Sequence, residues 1–281
     1  MTTSTREMSD AAGLTEQLCG DKPVVLRGAG LDWPVYAALQ EERLRDLDRP
    51  VVAEGPERQP TTVQLSEILD ELHAELPLGL YLRNQLVSEF EPALWDLVPR
   101  EIRRLNWLLA LPAEIRPDWS WLMIGGTGTS SPMHVDTMAS GAWNLLCAGR
   151  KRWTFHSPER AEEWCLLPPG CCTTGTSDGE FIELLQEPGD VVVTPSGWAH
   201  EVHNLTGTIS ITANFINRSN LGFAKRYFEV LGDRASHEVL TAVGATFELL
   251  DSNDDSGEAN TAGSGGGTGD RRRTSDESRG R

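Results

Sequence analysis

His134 and Asp136 stand one residue apart, and His200 follows after a long interval. Two imidazoles and a carboxylate are a ligand set for one face of a divalent transition metal. In an extended strand, residues i and i+2 point to the same side. His134 and Asp136 can therefore grip one ion from a single strand while His200 closes the site from another. A triad of two histidines and one carboxylate leaves the remaining positions open to substrate and oxygen, which suits non-haem Fe(II). On the residues alone, two ordinary half-buried histidines are the competing reading.

Something must hold these three donors together, and the surrounding sequence reads as short strands. Trp119–Ile124, Trp143–Cys147, Arg152–Phe155, Phe181–Leu185, Asp190–Thr194, Glu201–Leu205 and Ser210–Phe215 are apolar runs divided by Gly, Pro, Ser and Asp. Evenly punctuated strands of this length predict a double-sheet jelly roll, whose inner face can hold a ligand. His134 follows the loop Gly125 to Pro132, and His200 ends Pro195-Ser-Gly-Trp-Ala-His200, just after a Val-Val-Val strand.

The first part of the chain has α/β character and no chemistry of its own. Lys22–Arg27 and Leu80–Leu82 read as strands, residues 92–111 as short helices, and Thr62–Leu76 as an amphipathic helix with Leu65, Ile68, Leu69 and Leu72 on one side. Residues 221–231 and 237–249 predict two helices broken at Gly232. The fold expected is mainly β, with an α/β N-terminal wrap and C-terminal helices. It forms one domain over 21–250 with its barrel core at 118–217, between a loose helical lead-in (1–20) and a disordered tail (251–281) rich in Gly and charge.

Composition narrows the function. The chain has 281 residues, 39% hydrophobic with nine Trp, and a formal charge of −17, which disfavours nucleic acid as a partner. No apolar run is long enough to span a bilayer, and no secretory h-region is visible at the start. The cysteines are Cys19, Cys147, Cys165, Cys171 and Cys172, an odd and irregular set that argues against a disulfide scaffold and fits a reducing cytoplasm.

Five motifs in order then resemble a known family: His134-Val-Asp136, Ser140-Gly-Ala-Trp-Asn144, Gly149-Arg-Lys151-Arg-Trp153, Pro195 to Asn204, and Ile211-Thr-Ala-Asn214-Phe215. Together they look like a JmjC domain, and Lys22–Arg27 and Leu80–Asn84 fit its N-terminal pattern. The resemblance covers roughly Lys22 to Asn217 and is closest to the small JmjC hydroxylases. It implies a double-stranded β-helix (a cupin-like jelly roll) and a dioxygenase using Fe(II), 2-oxoglutarate and O2. It makes His134, Asp136 and His200 the metal ligands. Lys151 falls where the family places a cation for the distal carboxylate of 2-oxoglutarate. Thr212 and Ser131 match hydroxyl positions, Asn144 and Asn214 match amides near the co-substrate, and Tyr81 supplies a phenol.

The reaction implied is hydroxylation of a C–H bond on an amino-acid side chain, in a peptide, a protein or a small metabolite, with release of succinate and CO2. No reader domain or basic DNA-binding stretch accompanies the barrel, which disfavours chromatin demethylation. The competing class is a catalytically silent cupin-type scaffold that binds a metal or small molecule. Such a barrel has no need of Lys151 and Thr212 beside an intact triad. Residues 221–249 are expected to pair two copies into a homodimer, as in related proteins of this size.

Overall fold

A computed structural model describes residues 5–6, 16–172 and 180–259. The chain divides into two compact units, residues 1–244 and 245–281, and the described part of the second belongs to one helix, Arg234–Ala259. Most of the expected lead-in and tail lies outside the described residues.

Thirteen strands are described: β1 Thr5–Arg6, β2 Val24–Leu26, β3 Pro50–Glu54, β4 Pro60–Gln64, β5 Tyr81–Leu86, β6 Ser120–Gly125, β7 Ser130–His134, β8 Gly141–Ala148, β9 Lys151–His156, β10 Phe181–Gln186, β11 Val191–Thr194, β12 Ala199–Asn204 and β13 Thr208–Phe215. Nine form one sheet in the order β1-β2-β11-β8-β13-β6-β5-β3-β4, and four form a second in the order β10-β9-β12-β7. All pairings are antiparallel except β1 with β2. This is the expected jelly roll, and the motif strands sit in its two facing sheets.

Strand alternation sorts the side chains. Trp143, Leu145 and Cys147 of β8 and Ile209, Ile211, Ala213 and Phe215 of β13 join one large apolar cluster with the N-terminal segments. The intervening positions Asn144, Ser210, Thr212 and Asn214 are polar and turn to the inner face. Between the sheets, Val25, Trp153, Phe155, Ile182, Leu184, Val192, Trp198 and Val202 form a second apolar cluster. β8 is therefore buried on both faces, which is why it reads as a continuous apolar run.

Two expectations change. The helix read over Thr62–Leu76 is only Leu65–Asp70, because Pro60–Gln64 is drawn into β4 against β3, Val63 facing Val51. Leu65, Ile68 and Leu69 keep the expected buried face, while Leu76 is 90% exposed. The Gly125 to Pro132 loop is shorter than read, since β7 already begins at Ser130. The two C-terminal helices are Leu221–Leu231 and Arg234–Ala259, with Gly232 left-handed (φ 73°) between them.

Candidate metal centre and co-substrate pocket

β7 carries His134 as its last residue, and Asp136 lies just beyond the strand in extended geometry (φ −58°, ψ 151°). The i, i+2 relation thus survives although the strand has ended. The chain then turns sharply through Met138 and Ala139, two non-glycine residues at positive φ (55° and 50°), a costly local conformation of the kind found beside functional sites. On β12, His200 is the cross-strand neighbour of His134. Their rings lie 4.2 Å apart, and ligand atoms of His134, Asp136 and His200 all lie within 4.8 Å of one another.

The protonation of this cluster follows from its neighbours. His134 Nδ1 sits 2.7 Å from the Pro132 carbonyl oxygen and His200 Nδ1 sits 3.2 Å from that of Trp198. A carbonyl oxygen only accepts, so each ring carries its proton on Nδ1 and keeps the Nε2 lone pair for a metal. Burial, and then the adjacent His134, push the pKa of His200 down to about 4, which keeps the ring neutral and ready to ligate. Asp136 Oδ2 is buried and has no hydrogen-bond partner among the described residues. Two free imidazole lone pairs facing an unpartnered carboxylate oxygen are a fit for a divalent cation.

A cavity of about 260 Å³ opens from the triad. Its lining includes Tyr81, Ser131, Asn144, Lys151, Thr212 and Asn214, all six residues that the family resemblance assigns to the co-substrate. Lys151 is 1% exposed, whereas Arg150 and Arg152 on either side are exposed. Its Nζ donates to Ser210 Oγ at 2.7 Å, and among the described residues it has no carboxylate partner. Burial lowers its pKa to about 7. An ammonium stripped of water and left with one neutral acceptor is suited to pairing with an anion. Thr212 is placed beside it but donates its hydroxyl proton to the Trp143 carbonyl at 2.7 Å, so toward the cavity it offers lone pairs. Asn214 donates to Ser140 Oγ at 2.9 Å, and the buried Tyr81 phenol, its pKa raised chiefly by burial, hydrogen-bonds with Ser131.

Ser131 and His134 differ by an odd number and should face opposite sides of a regular strand. Both line the cavity because β7 bulges. His200 pairs with His134 and Val202 with Ser131, so β7 advances three residues where β12 advances two. Pro132 is exposed at the bulge of this edge strand, where its missing N–H costs no ladder bond.

Sequence reasoning missed Ser210 and Gln186. Trp121 is half-buried and lines the cavity. Ser210 could have been found from the alternation 210, 212, 214 on one strand face. Trp153 also lines the cavity and stacks over His200, with ring centroids 5.8 Å apart. His203 is not among the triad's ligands and faces Glu201 at 3.7 Å. A larger cavity of about 320 Å³, lined among others by Trp95, Ile102 and Phe215, has among the described residues no histidine and one carboxylate, Asp118.

The description "JmjC domain, hydroxylase" matches residues 176–215, a stretch that includes His200, Thr212 and Asn214. Over that stretch the chain is similar to the JmjC family. It is 35% identical over 186 residues to the mouse 2-oxoglutarate and iron-dependent oxygenase JMJD4, covering 61% of this chain and 39% of that protein. Over 228 residues it is 29% identical to the Arabidopsis thaliana arginine-specific demethylase JMJ22 (72% and 43%). Over 128 residues it is 29% identical to the Caenorhabditis elegans bifunctional arginine demethylase and lysyl-hydroxylase psr-1 (38% and 32%). The chain thus spans less than half the length of these JmjC relatives. Among the described residues, no helix is long and apolar enough to cross a membrane.

Proposed function

We propose that this JmjC domain is an Fe(II)- and 2-oxoglutarate-dependent dioxygenase that hydroxylates an amino-acid side chain of a peptide or protein. The observation that carries the reading is the pairing of two kinds of site in one cavity: a metal-ready triad and a buried ammonium with no counter-charge among the described residues. A silent scaffold would have no use for the second. The relatives' names support the cofactors and a protein substrate.

In this reading His134 and His200 hold iron through Nε2 and Asp136 through its carboxylate. When bound, iron with 2-oxoglutarate and O2 supplies oxidation of a C–H bond coupled to decarboxylation to succinate and CO2. The chain's part is placement. Lys151 receives the distal carboxylate in a charge-assisted hydrogen bond, with Thr212, Ser131, Tyr81, Asn144 and Asn214 around the rest of the molecule. Trp153 and Phe155 back the triad and keep water from it. Trp121 at the half-exposed wall meets the incoming side chain. Five unpaired cysteines support a reducing compartment such as the cytoplasm. A homodimer through the C-terminal helices fits exposed Val230, Leu231 and Val239.

The test is succinate formation from 2-oxoglutarate with Fe(II) and ascorbate, followed by mass spectrometry of peptides for one added oxygen. Turnover should vanish in His134→Ala and fall sharply in Lys151→Ala. Absence of both turnover and metal-dependent 2-oxoglutarate binding in the wild type would leave the scaffold reading standing instead.

A further inference from the structure

Gln186 ends β10 and is fully buried, reaching from the four-stranded sheet to the nine-stranded one. Its Oε1 accepts from Trp153 Nε1 at 2.8 Å. Its Nε2 donates to Asn144 O at 2.9 Å, Asn144 Oδ1 at 3.2 Å and Asp190 O at 3.1 Å. The two ends of an amide are easily confused, but an indole N–H can only donate. Trp153 therefore fixes which end of Gln186 is oxygen, and the nitrogen must face Asn144. The oxygen of the Asn144 amide must then face Gln186, so its NH2 group is turned the other way, into the cavity that Asn144 lines. Among the described residues nothing accepts a hydrogen bond from that group.

We infer that Gln186 is a positioning residue for the co-substrate: through the relay Trp153–Gln186–Asn144 it holds the Asn144 amide with its donors toward a negatively charged oxygen of 2-oxoglutarate. The inference rests on the functional reading above. Gln186 itself touches neither metal nor co-substrate. The same residue also pins the Trp153 ring that stacks over His200. A donor-facing Asn144 admits a carboxylate and rejects a ligand that presents a donor there.

The decisive variant is Gln186→Glu, which keeps the shape and can still accept from Trp153. Ionised or protonated, the new group brings at most one proton where the amide brought two, against three acceptor oxygens. Asn144 is then driven to flip and present its oxygen to the co-substrate.

Calorimetric titration of 2-oxoglutarate into Zn(II)-loaded protein should show affinity weakened roughly ten- to a hundredfold, with Zn(II) affinity unchanged. In an Asn144→Ala background the same substitution should have no further effect, since the group it acts through is gone. Equal weakening in both backgrounds, or none in either, overturns the inference and leaves the oxygenase reading intact. A wild type that binds no 2-oxoglutarate overturns both.

Should Gln186→Glu not fold, the wild type decides. The Asn144 side-chain NH2 resonances, assigned by their loss in Asn144→Ala, should shift when 2-oxoglutarate is added to the Zn(II)-loaded protein. Unmoved resonances at saturation overturn the inference.

Discussion

Holding Lys151 in its charged form costs energy that a bound anion would offset. Its pKa of about 7 lies well below the ordinary lysine value of about 10.4. Between those values the unfolded chain binds more protons than the folded one, so this group's contribution to stability rises with pH from about 7 to about 10. Lys151→Met should therefore raise the urea midpoint, most at pH 6 and progressively less toward pH 10. The same variant should lose about 2–5 kcal/mol of 2-oxoglutarate binding, the cost of removing one partner of a buried charged pair. A wild-type affinity that falls as pH rises above 7, with proton uptake on binding, completes the picture. A variant that is less stable at pH 6, or binds as tightly, would show that Lys151 is a structural cation.

The site was unevenly legible at this scale. The triad could be read because HxD spacing and strand parity are local. Lys151, in a run of three cations, was singled out by the family resemblance and not by the local pattern. Ser210 lay open in the alternation 210, 212, 214, whereas Gln186 was hidden because its partners Trp153 and Asn144 lie on other strands and only the folded sheets bring them together.

At the scale of elements, the bulge in β7 is what lets one strand place both Ser131 and His134 in the cavity. Deleting Pro132 should restore regular pairing and leave Ser131 and His134 two residues apart, on one face of the strand. The expected result is a folded protein, with unchanged far-ultraviolet circular dichroism, that keeps both its Zn(II) affinity and its 2-oxoglutarate affinity. Loss of either affinity would mean that the site needs the bulge for more than the facing of these two residues. The turn from β8 into β9 makes a second demand. Gly149 has φ +81°, and a Cβ there would stand 1.9 Å from the Gly207 carbonyl oxygen. Gly149→Ala should cost more than about 1 kcal/mol, seen as a lower melting temperature, since both the backbone well and the space are unavailable. The seven strands read from the sequence all recur within a few residues, because Gly, Pro and Asp punctuate them. β7 escaped detection because Ser-Ser-Pro-Met-His looks like loop, and the Thr62 to Gln64 segment because pairing with β3 overrode a helical spacing.

For the whole molecule, the −17 charge bore on partners rather than on fold. What distinguishes an oxygenase from a scaffold at this scale is the order in which ligands stabilise the chain. A ligand that binds only the folded state adds RT ln(1 + [L]/Kd), about 2.7 kcal/mol at a hundredfold excess over Kd. For a domain of this size that is a rise of roughly 5–10 °C in melting temperature. Zn(II) alone should give such a shift, since it relieves the buried Asp136 oxygen and takes up two free imidazole lone pairs. 2-Oxoglutarate alone should give a smaller one, because Lys151 offers only one end of the site. Added after Zn(II), 2-oxoglutarate should shift the protein further than it does by itself, since one molecule then spans both the metal and the ammonium. Equal shifts with and without metal would place the dicarboxylate away from the triad. A metal shift that 2-oxoglutarate never extends would mark a metal-binding barrel with no co-substrate.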